Sequence, residues 1–226
     1  MKNSNQCAVY YCTFTTPTKS YTIQKKIALQ VLHHAFLTFF NTELQESHIK
    51  RTANGKPYYE QSPNYFFNIS HCATAIAVAL AHTPVGIDIE SPRPVKPGTL
   101  KKCCSPSEIS YIFSPALPQT QQENLTPEQE KRFLNLWTLK ESYVKMTGEG
   151  LRTPLSTICF DIPKFQKLNQ DLLQWIQPGR HHSYLYSQKN IIISLALQYT
   201  PTIKAFQIQW HSCTTDTLPT QPYSIQ

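Results

Sequence analysis

The sequence predicts an α+β protein, and three observations carry that prediction. Two long stretches have the spacing of buried helical faces. From Ile23 to about Leu44 the residues Ile27, Val31, Leu32, Ala35, Phe36, Phe39 and Phe40 recur at intervals of three and four, and from Thr126 to Gly148 the residues Phe133, Leu136, Trp137, Tyr143 and Val144 continue a second such pattern. Short β-branched and aromatic runs bounded by turn residues accompany both. Each half of the chain runs from a helical pattern to strands, with no fixed-period repeat.

In chain order, residues 7–14 (CAVYYCTF) read as a strand, and the helix from Ile23 follows. Asn54-Gly55-Lys56-Pro57 is a turn signal, after which Phe66–Ser70, Ala75–His82 and Val85–Glu90 are three strand-like runs expected to form a small antiparallel sheet. Ser91–Pro106 is rich in Pro, Lys and Arg and is expected to be a loop. Ser105-Pro106-Ser107-Glu108 puts a hydroxyl at the N-cap, a proline at N1 and a carboxylate at N3, so a short helix starts there and ends near Phe113. Pro115–Leu125 is expected to be an exposed polar loop. Thr126-Pro127-Glu128-Gln129 repeats the capping signature at the start of the second long helix, which Gly148 stops. Thr157–Ile162, Ser183–Tyr186, Ile191–Gln198 and Phe206–Trp210 read as strands.

Composition narrows the function. With 40% apolar and 12% aromatic residues in 226, the chain has the material for a core, which excludes disorder for most of it. Its longest unbroken apolar stretch, Ala75–Ala81, is far short of the roughly 20 residues a membrane span needs. The first 20 residues lack the basic, apolar and small-residue order of a signal peptide, so the expected location is the cytoplasm and no membrane partner is expected. The seven cysteines, at 7, 12, 72, 103, 104, 159 and 213, lack paired metal-ligand spacing and read as reduced thiols.

The chemistry concentrates in a few segments. In Gly86-Ile87-Asp88-Ile89-Glu90 the two acids share one face of a strand, their Cβ atoms about 7 Å apart. That pair is either a place for a divalent cation or a solvated strand end. On the second long helix Glu141 and Lys145 stand at i and i+4, with Trp137 one turn earlier and Lys140 beside them. Asn68-Ile69-Ser70-His71 ends a strand with a hydroxyl and an imidazole, and Lys50, Arg51 and Lys56 surround the Asn54-Gly55 turn. Three carboxylates with clustered lysines suit Mg²⁺ on a diphosphate, since that hard ion binds through a few carboxylates plus phosphate oxygens.

Taken in order, Asn54-Gly55-Lys56-Pro57, Asn68-Ile69-Ser70-His71, Gly86-Ile87-Asp88-Ile89-Glu90 and Trp137-x-x-Lys140-Glu141-Ser142-x-x-Lys145-x-x-Gly148-x-Gly150-Leu151 resemble the 4′-phosphopantetheinyl transferases of the surfactin-synthetase-activating type, over roughly residues 50–155. The resemblance implies a pseudo-dimer of two similar α+β halves, 1–84 and 85–226, with the active site in the cleft between them. It implies transfer of phosphopantetheine from coenzyme A to a serine of an acidic acyl or peptidyl carrier protein, releasing 3′,5′-ADP. Carried over by residue, Asp88, Glu90 and Glu141 would hold Mg²⁺, and Lys145 would contact the phosphate next to the leaving group. Lys140 would add positive charge, while Lys56, Ser70 and His71 would hold the 3′-phosphate and neighbouring oxygens. Glu141, Lys145 and Asp88 form the implied catalytic set, with Glu141 or a water taking the serine proton. The chain departs from the family in having Cys72 after Ser70-His71 and in a short amino-terminal half, where Lys25-Lys26 would stand in for a basic segment.

Two other classes compete. A metal-dependent nuclease or phosphodiesterase also uses acid pairs plus lysine, but the position two residues past the second strand acid is Pro92. A nucleic-acid-binding module would use the net charge of +7, yet the basic 91–102 segment has no interleaved aromatics for base stacking. The expected protein is a monomer with no nucleic-acid partner, its basic surface meeting an acidic carrier through Arg93, Lys96, Lys101 and Lys102 with Ile109, Ile112 and Phe113.

Overall fold

The computed structural model describes residues 5–114, 124–177, 180–188, 190–201, 203 and 205–217. Strand β1 (Gln6–Thr13) leads into helix α1 (Tyr21–Ala35), which a wider π turn extends over Phe36–Phe40. The helical run stops at Asn41, short of the expected Leu44, because Asn41 takes the left-handed conformation at φ 52°. The hairpin β2 (Ile49–Arg51) and β3 (Pro57–Tyr59) follows, turning at Gly55 with φ 84°. Then come β4 (Phe66–His71), β5 (Ala75–Ala81), β6 (Val85–Glu90), α2 (Pro97–Cys103), α3 (Pro106–Phe113) and α4 (Pro127–Thr147). The chain ends its described part with β7 (Gln166–Lys167), β8 (Leu172–Gln177), β9 (His181–Ser187), β10 (Ile192–Gln198) and β11 (Gln207–Thr214).

Both expected capping boxes are present. Ser105 Oγ accepts from Glu108 N while Glu108 Oε2 accepts from Ser105 N, and Thr126 and Gln129 exchange the same pair of bonds. Gly148 closes α4 at φ 74°. The 91–106 segment is not all loop: Pro97 at N1 starts α2 there. Residues 157–162 form no strand: they run from the end of one short 3₁₀ turn, Leu155–Thr157, to the start of another, Ile162–Lys164, and the Phe160 N–H between them is held by the Glu108 carboxylate instead of a ladder. Of the polar loop expected over 115–125, residues 115–123 lie outside the described residues.

The strands form a four-stranded sheet in the order β11-β1-β5-β4, a five-stranded antiparallel sheet in the order β6-β10-β9-β8-β7, and the small hairpin. β6 therefore does not continue the sheet of β4 and β5 as the sequence suggested; it pairs with β10, more than 100 residues later. Alternation along β5 explains how the layers stack. Ile76, Val78 and Leu80 face α1, joining Val31, Leu32, Phe36 and Phe67. Ala75, Ala77, Ala79 and Ala81 face the other way, and these small residues let the second sheet come close through Ile87, Ile89, Leu195 and Leu197. A third cluster, with Ile112, Phe133, Leu136 and Leu139, covers Leu185 and Ile192 on the far side of the second sheet. The packing order is helix, sheet, sheet, helix, so the described residues make an α+β fold. Among them no helix is long and apolar enough to cross a membrane, and all seven cysteines are free.

One contact fixes where α4 lies. A Cβ built on Gly86 of β6 would fall 2.0 Å from Ser142 O and 2.3 Å from Met146 N, so the helix backbone rests directly on the strand. Gly86→Ala is expected to lift α4 and destabilise the fold by about 2 kcal/mol or more, measured by urea unfolding. Gly98→Ala, where nothing lies within 4 Å of the added methyl, is expected to be neutral or stabilising by up to about 1 kcal/mol. Equal stabilities of the two variants would refute this account of the helix position.

Candidate active site

β4 and β6 are the edge strands at which the two sheets meet, and side chains bridge the gap between them. Residues 68 and 70 share a face, so Asn68 Oδ1 accepts from Ile87 N at 2.9 Å and Ser70 Oγ accepts from Ile89 N at 3.4 Å. This seam carries the expected acids to the same place as α4. Ser70 Oγ donates to Asp88 Oδ1 at 2.7 Å, and Lys145 Nζ donates to Asp88 Oδ1 at 2.6 Å and to Ser70 Oγ at 2.9 Å. Asp88 is 5% exposed, and its second oxygen, Oδ2, is buried without a hydrogen-bond partner.

Glu141 lies one helical turn before Lys145 and lines the same cavity of about 230 Å³, with Gly55, Lys56, Asn68 and Gly150. Burial pushes its carboxyl above the ordinary glutamate value, the negative charges of Asp88 and Glu90 add to that, and Lys145 opposes it. The three acids thus share one electrostatic field but do not stand as a finished ligand set. Glu90 is turned to Arg93, whose Nε and Nη2 hold its two oxygens at 3.2 and 3.1 Å. Among the described residues no three His, Cys, Asp or Glu side chains are gathered to hold a metal ion. What fits a cation is the unpartnered Asp88 Oδ2 together with the repulsion that Asp88 and Glu90 exert on the Glu141 carboxyl.

Two sequence expectations need correction. Lys140 does not reach the cleft. It is 0% exposed, and its ammonium donates to Glu108 Oε2, Cys103 O and Leu155 O on the opposite side of α4. Consecutive helical residues point about 100° apart, so a lysine beside Glu141 faces elsewhere. Its place between Leu136 and Val144, each four residues away and both buried, is the signal that could have shown this. Lys56 is likewise not free for a phosphate: its ammonium donates to Met146 O at 2.7 Å and Val85 O at 3.2 Å, at the negative end of α4. Burial lowers its pKa to about 8. Asn54 Nδ2 donates to Gly148 O at 3.0 Å, so the whole 54–57 turn is a fastening on the end of α4.

Other cations, Lys25 and Arg51, line the open side. A cavity of about 450 Å³ beside the seam is lined by Lys25 and Arg51 together with Tyr21, Asn68 and His71. Arg51 Nη1 donates to Gly55 O at 2.8 Å, which steadies the basic side chain over the turn. His71 ends β4, exposed, its ring 6.4 Å from that of Tyr21 in an edge arrangement. Partial desolvation and then the Lys145 charge lower its pKa below the ordinary histidine value, against a smaller opposing pull from Asp88. At neutral pH it is a neutral imidazole with one N–H to give.

Residues 84–214, more than half of the chain, match the family described as the 4′-phosphopantetheinyl transferase superfamily. The chain is 39% identical over 106 residues to a 4′-phosphopantetheinyl transferase of Bacillus subtilis, covering 46% of this chain and 42% of that protein. It is 33% identical over 132 residues to the Bacillus subtilis 4′-phosphopantetheinyl transferase Sfp, covering 58% and 52%. With the human L-aminoadipate-semialdehyde dehydrogenase-phosphopantetheinyl transferase it shares 30% over 137 residues, covering 56% and 41%. The chain spans about half the length of the curated relatives it matches.

The site electrostatics have a spectroscopic consequence. In an NMR titration the His71 ring is expected to protonate below pH 6.5, the ordinary histidine value. Because Lys145 helps to hold that value down, Lys145→Gln is expected to raise the midpoint. A midpoint that falls in the variant would contradict the placement of the ammonium beside the ring.

Proposed function

The chain belongs to the 4′-phosphopantetheinyl transferase superfamily, and from that premise we propose that it moves the 4′-phosphopantetheine arm of coenzyme A onto a serine of an apo acyl or peptidyl carrier protein, leaving 3′,5′-ADP. The observation that carries this reading is the Ser70–Asp88–Lys145 cluster at the seam, with the unpartnered Asp88 Oδ2 and the raised Glu141 beside it. In this reading the chain is a pseudo-dimer of α+β halves, 1–84 and 85–226, the first half's sheet being completed by β11 from the second.

The reaction forms a bond from the carrier serine oxygen to phosphorus and breaks the diphosphate P–O bond, whose electron pair leaves with 3′,5′-ADP. Asp88 and Glu141, with Glu90 once freed from Arg93, would hold Mg²⁺. That ion, when bound, neutralises diphosphate charge and polarises the phosphoryl oxygens. Lys145 stands at the cleft with its side chain 27% exposed and offers the diphosphate a cation one turn from Glu141. Glu141, which lines the cleft one turn before Lys145, is placed to take the serine proton, directly or through a water. The neutral His71 supplies a donor to phosphate oxygens, whereas Ser70, whose one hydroxyl hydrogen goes to Asp88, orients that carboxylate instead of holding phosphate, and Lys25 and Arg51 replace Lys56 as the cations for the 3′-phosphate.

The basic arm after Glu90 meets an acidic carrier in this reading. Lys96, Lys101 and Lys102 are exposed, and Ile109 and Phe113 are half-buried. Ile112 drops out of that surface because it is 0% exposed, packed in the core against α4. Neither competing class gains support here, since Pro92 supplies no ammonium and the relatives are named as transferases.

The test mixes the protein with coenzyme A, Mg²⁺ and a panel of apo-carriers, and reads a gain of about 340 Da on a carrier serine by mass spectrometry. Asp88→Ala and Glu141→Ala are expected to lose at least ~10²-fold in kcat with the fold retained. Lys25→Gln with Arg51→Gln is expected to raise the KM for coenzyme A several-fold and to leave the KM for 3′-dephospho-coenzyme A nearly unchanged. Full transfer in excess EDTA would remove the metal from this scheme.

A further inference from the structure

We propose that the buried Lys140–Glu108 ion pair is a positioning device that couples the cation-bearing arm of α2 and α3 to α4 and thereby holds Glu141 in the cleft; this rests on the transferase reading above. Both side chains are 1% exposed, and Lys140 Nζ lies 2.6 Å from Glu108 Oε2. The remaining two ammonium hydrogens are also used, on Cys103 O at 2.6 Å and Leu155 O at 3.0 Å. Glu108 is equally committed, taking Ser105 N on Oε2 at 2.8 Å and Phe160 N on Oε1 at 2.9 Å. One pair of charges therefore ties together α4, the end of α2, the start of α3, the turn at Leu155 and the chain at Phe160.

An apolar pair of similar volume generally serves stability as well as a buried ion pair or better, so stability alone does not account for these two charges. What the pair adds is direction. Three donors and two acceptor oxygens, all with fixed partners, define the roll of a helix, whereas an apolar contact can slide. The opposite flank of α4 is held by the backbone contact at Gly86 and by Ser142 Oγ against Ser194 Oγ at 2.9 Å. The ion pair closes the clamp from the other side at the residue adjoining Glu141. It also grips the carbonyl that follows Lys101 and Lys102, so the exposed cations of the arm are anchored one residue from the pair.

The test compares the unaltered protein with the double variant Lys140→Met/Glu108→Gln, which is neutral and close in shape, at a temperature where circular dichroism shows both folded. The kcat for carrier modification, referred to the folded fraction that circular dichroism reports so that unfolded protein does not count as a loss of rate, is expected to fall at least tenfold while the KM for coenzyme A stays within twofold. Hydrogen–deuterium exchange is expected to quicken over residues 100–113 and 155–160 and to stay unchanged over β9 and β10. If the double variant does not fold, Glu108→Asp, which keeps the charge and shortens the reach, is expected to lower kcat about threefold with the same constancy of KM. A wild-type kcat in whichever variant folds overturns the proposal. Should the unaltered protein transfer nothing, the transferase reading falls, and unchanged exchange over residues 100–113 overturns the coupling as well.

Discussion

The missing side chain at position 86 is the constraint on which the rest of the site depends. With no Cβ there, the backbone of α4 at Ser142 and Met146 lies on the strand that carries Asp88 and Glu90. From that close approach the remaining geometry follows. Lys145, one residue before Met146, comes within 2.6 Å of Asp88, and Glu141, one residue before Ser142, faces the same acids. The end of the helix then sits where Lys56 and Asn54 can fasten it, and Gly148 leaves room for the stem of Lys56, since a Cβ added there would come within 3.2 Å of that chain.

The two lysines of the Lys140-Glu141-Ser142-x-x-Lys145 segment show how placement on a helix divides one residue type into two functions. Lys140 lies on the buried stripe, and every one of its hydrogens goes to an acceptor within the protein. Lys145, five residues on, lies at the edge of a cleft and shares its charge with a single carboxylate and a hydroxyl. A charge buried and fully partnered is fixed in place, while one at a solvent boundary keeps the capacity to exchange partners. The same division separates Lys56, bound to two carbonyls, from Lys25 and Arg51, which line an open cavity.

Local chemistry made much of this legible in the sequence. The capping boxes at Ser105 and Thr126, the Gly148 stop, the Gly55 turn and the strand identity of β4, β5, β6, β9, β10 and β11 all follow from residues within a few positions of one another. The acids of β6 and the Glu141–Lys145 pair were recognisable from period two and period three-to-four alone. What escaped the sequence is non-local. The partner of β6 is β10, the partner of Lys140 is a capping carboxylate 32 residues before it, and the N–H that would have made a strand of 157–162 is taken by that carboxylate. β8 is not legible because its apolar residues come in adjacent pairs, Leu172-Leu173 and Trp175-Ile176, without the alternation of a half-buried strand, and its pairing with β9 supplies the rest. Asn68 was visible as part of a motif, but its work as a substitute for ladder acceptors requires knowing that β6 lies beside it.

The parallel pairing of β1 with β11 couples the two ends of the described chain in eight consecutive registered positions, from Gln6 with Gln207 to Thr13 with Thr214. Loop-closure entropy must be spent across some 200 residues before that ladder gains its first hydrogen bond. During synthesis β1 can find β5 early, but its other edge stays open until the segment around residue 210 has left the ribosome. The nascent amino-terminal half therefore carries an unpaired strand edge for most of translation, a period in which β1 is open to wrong partners. The order in which the chain is made, as much as its final contacts, thus sets how reliably this fold is reached.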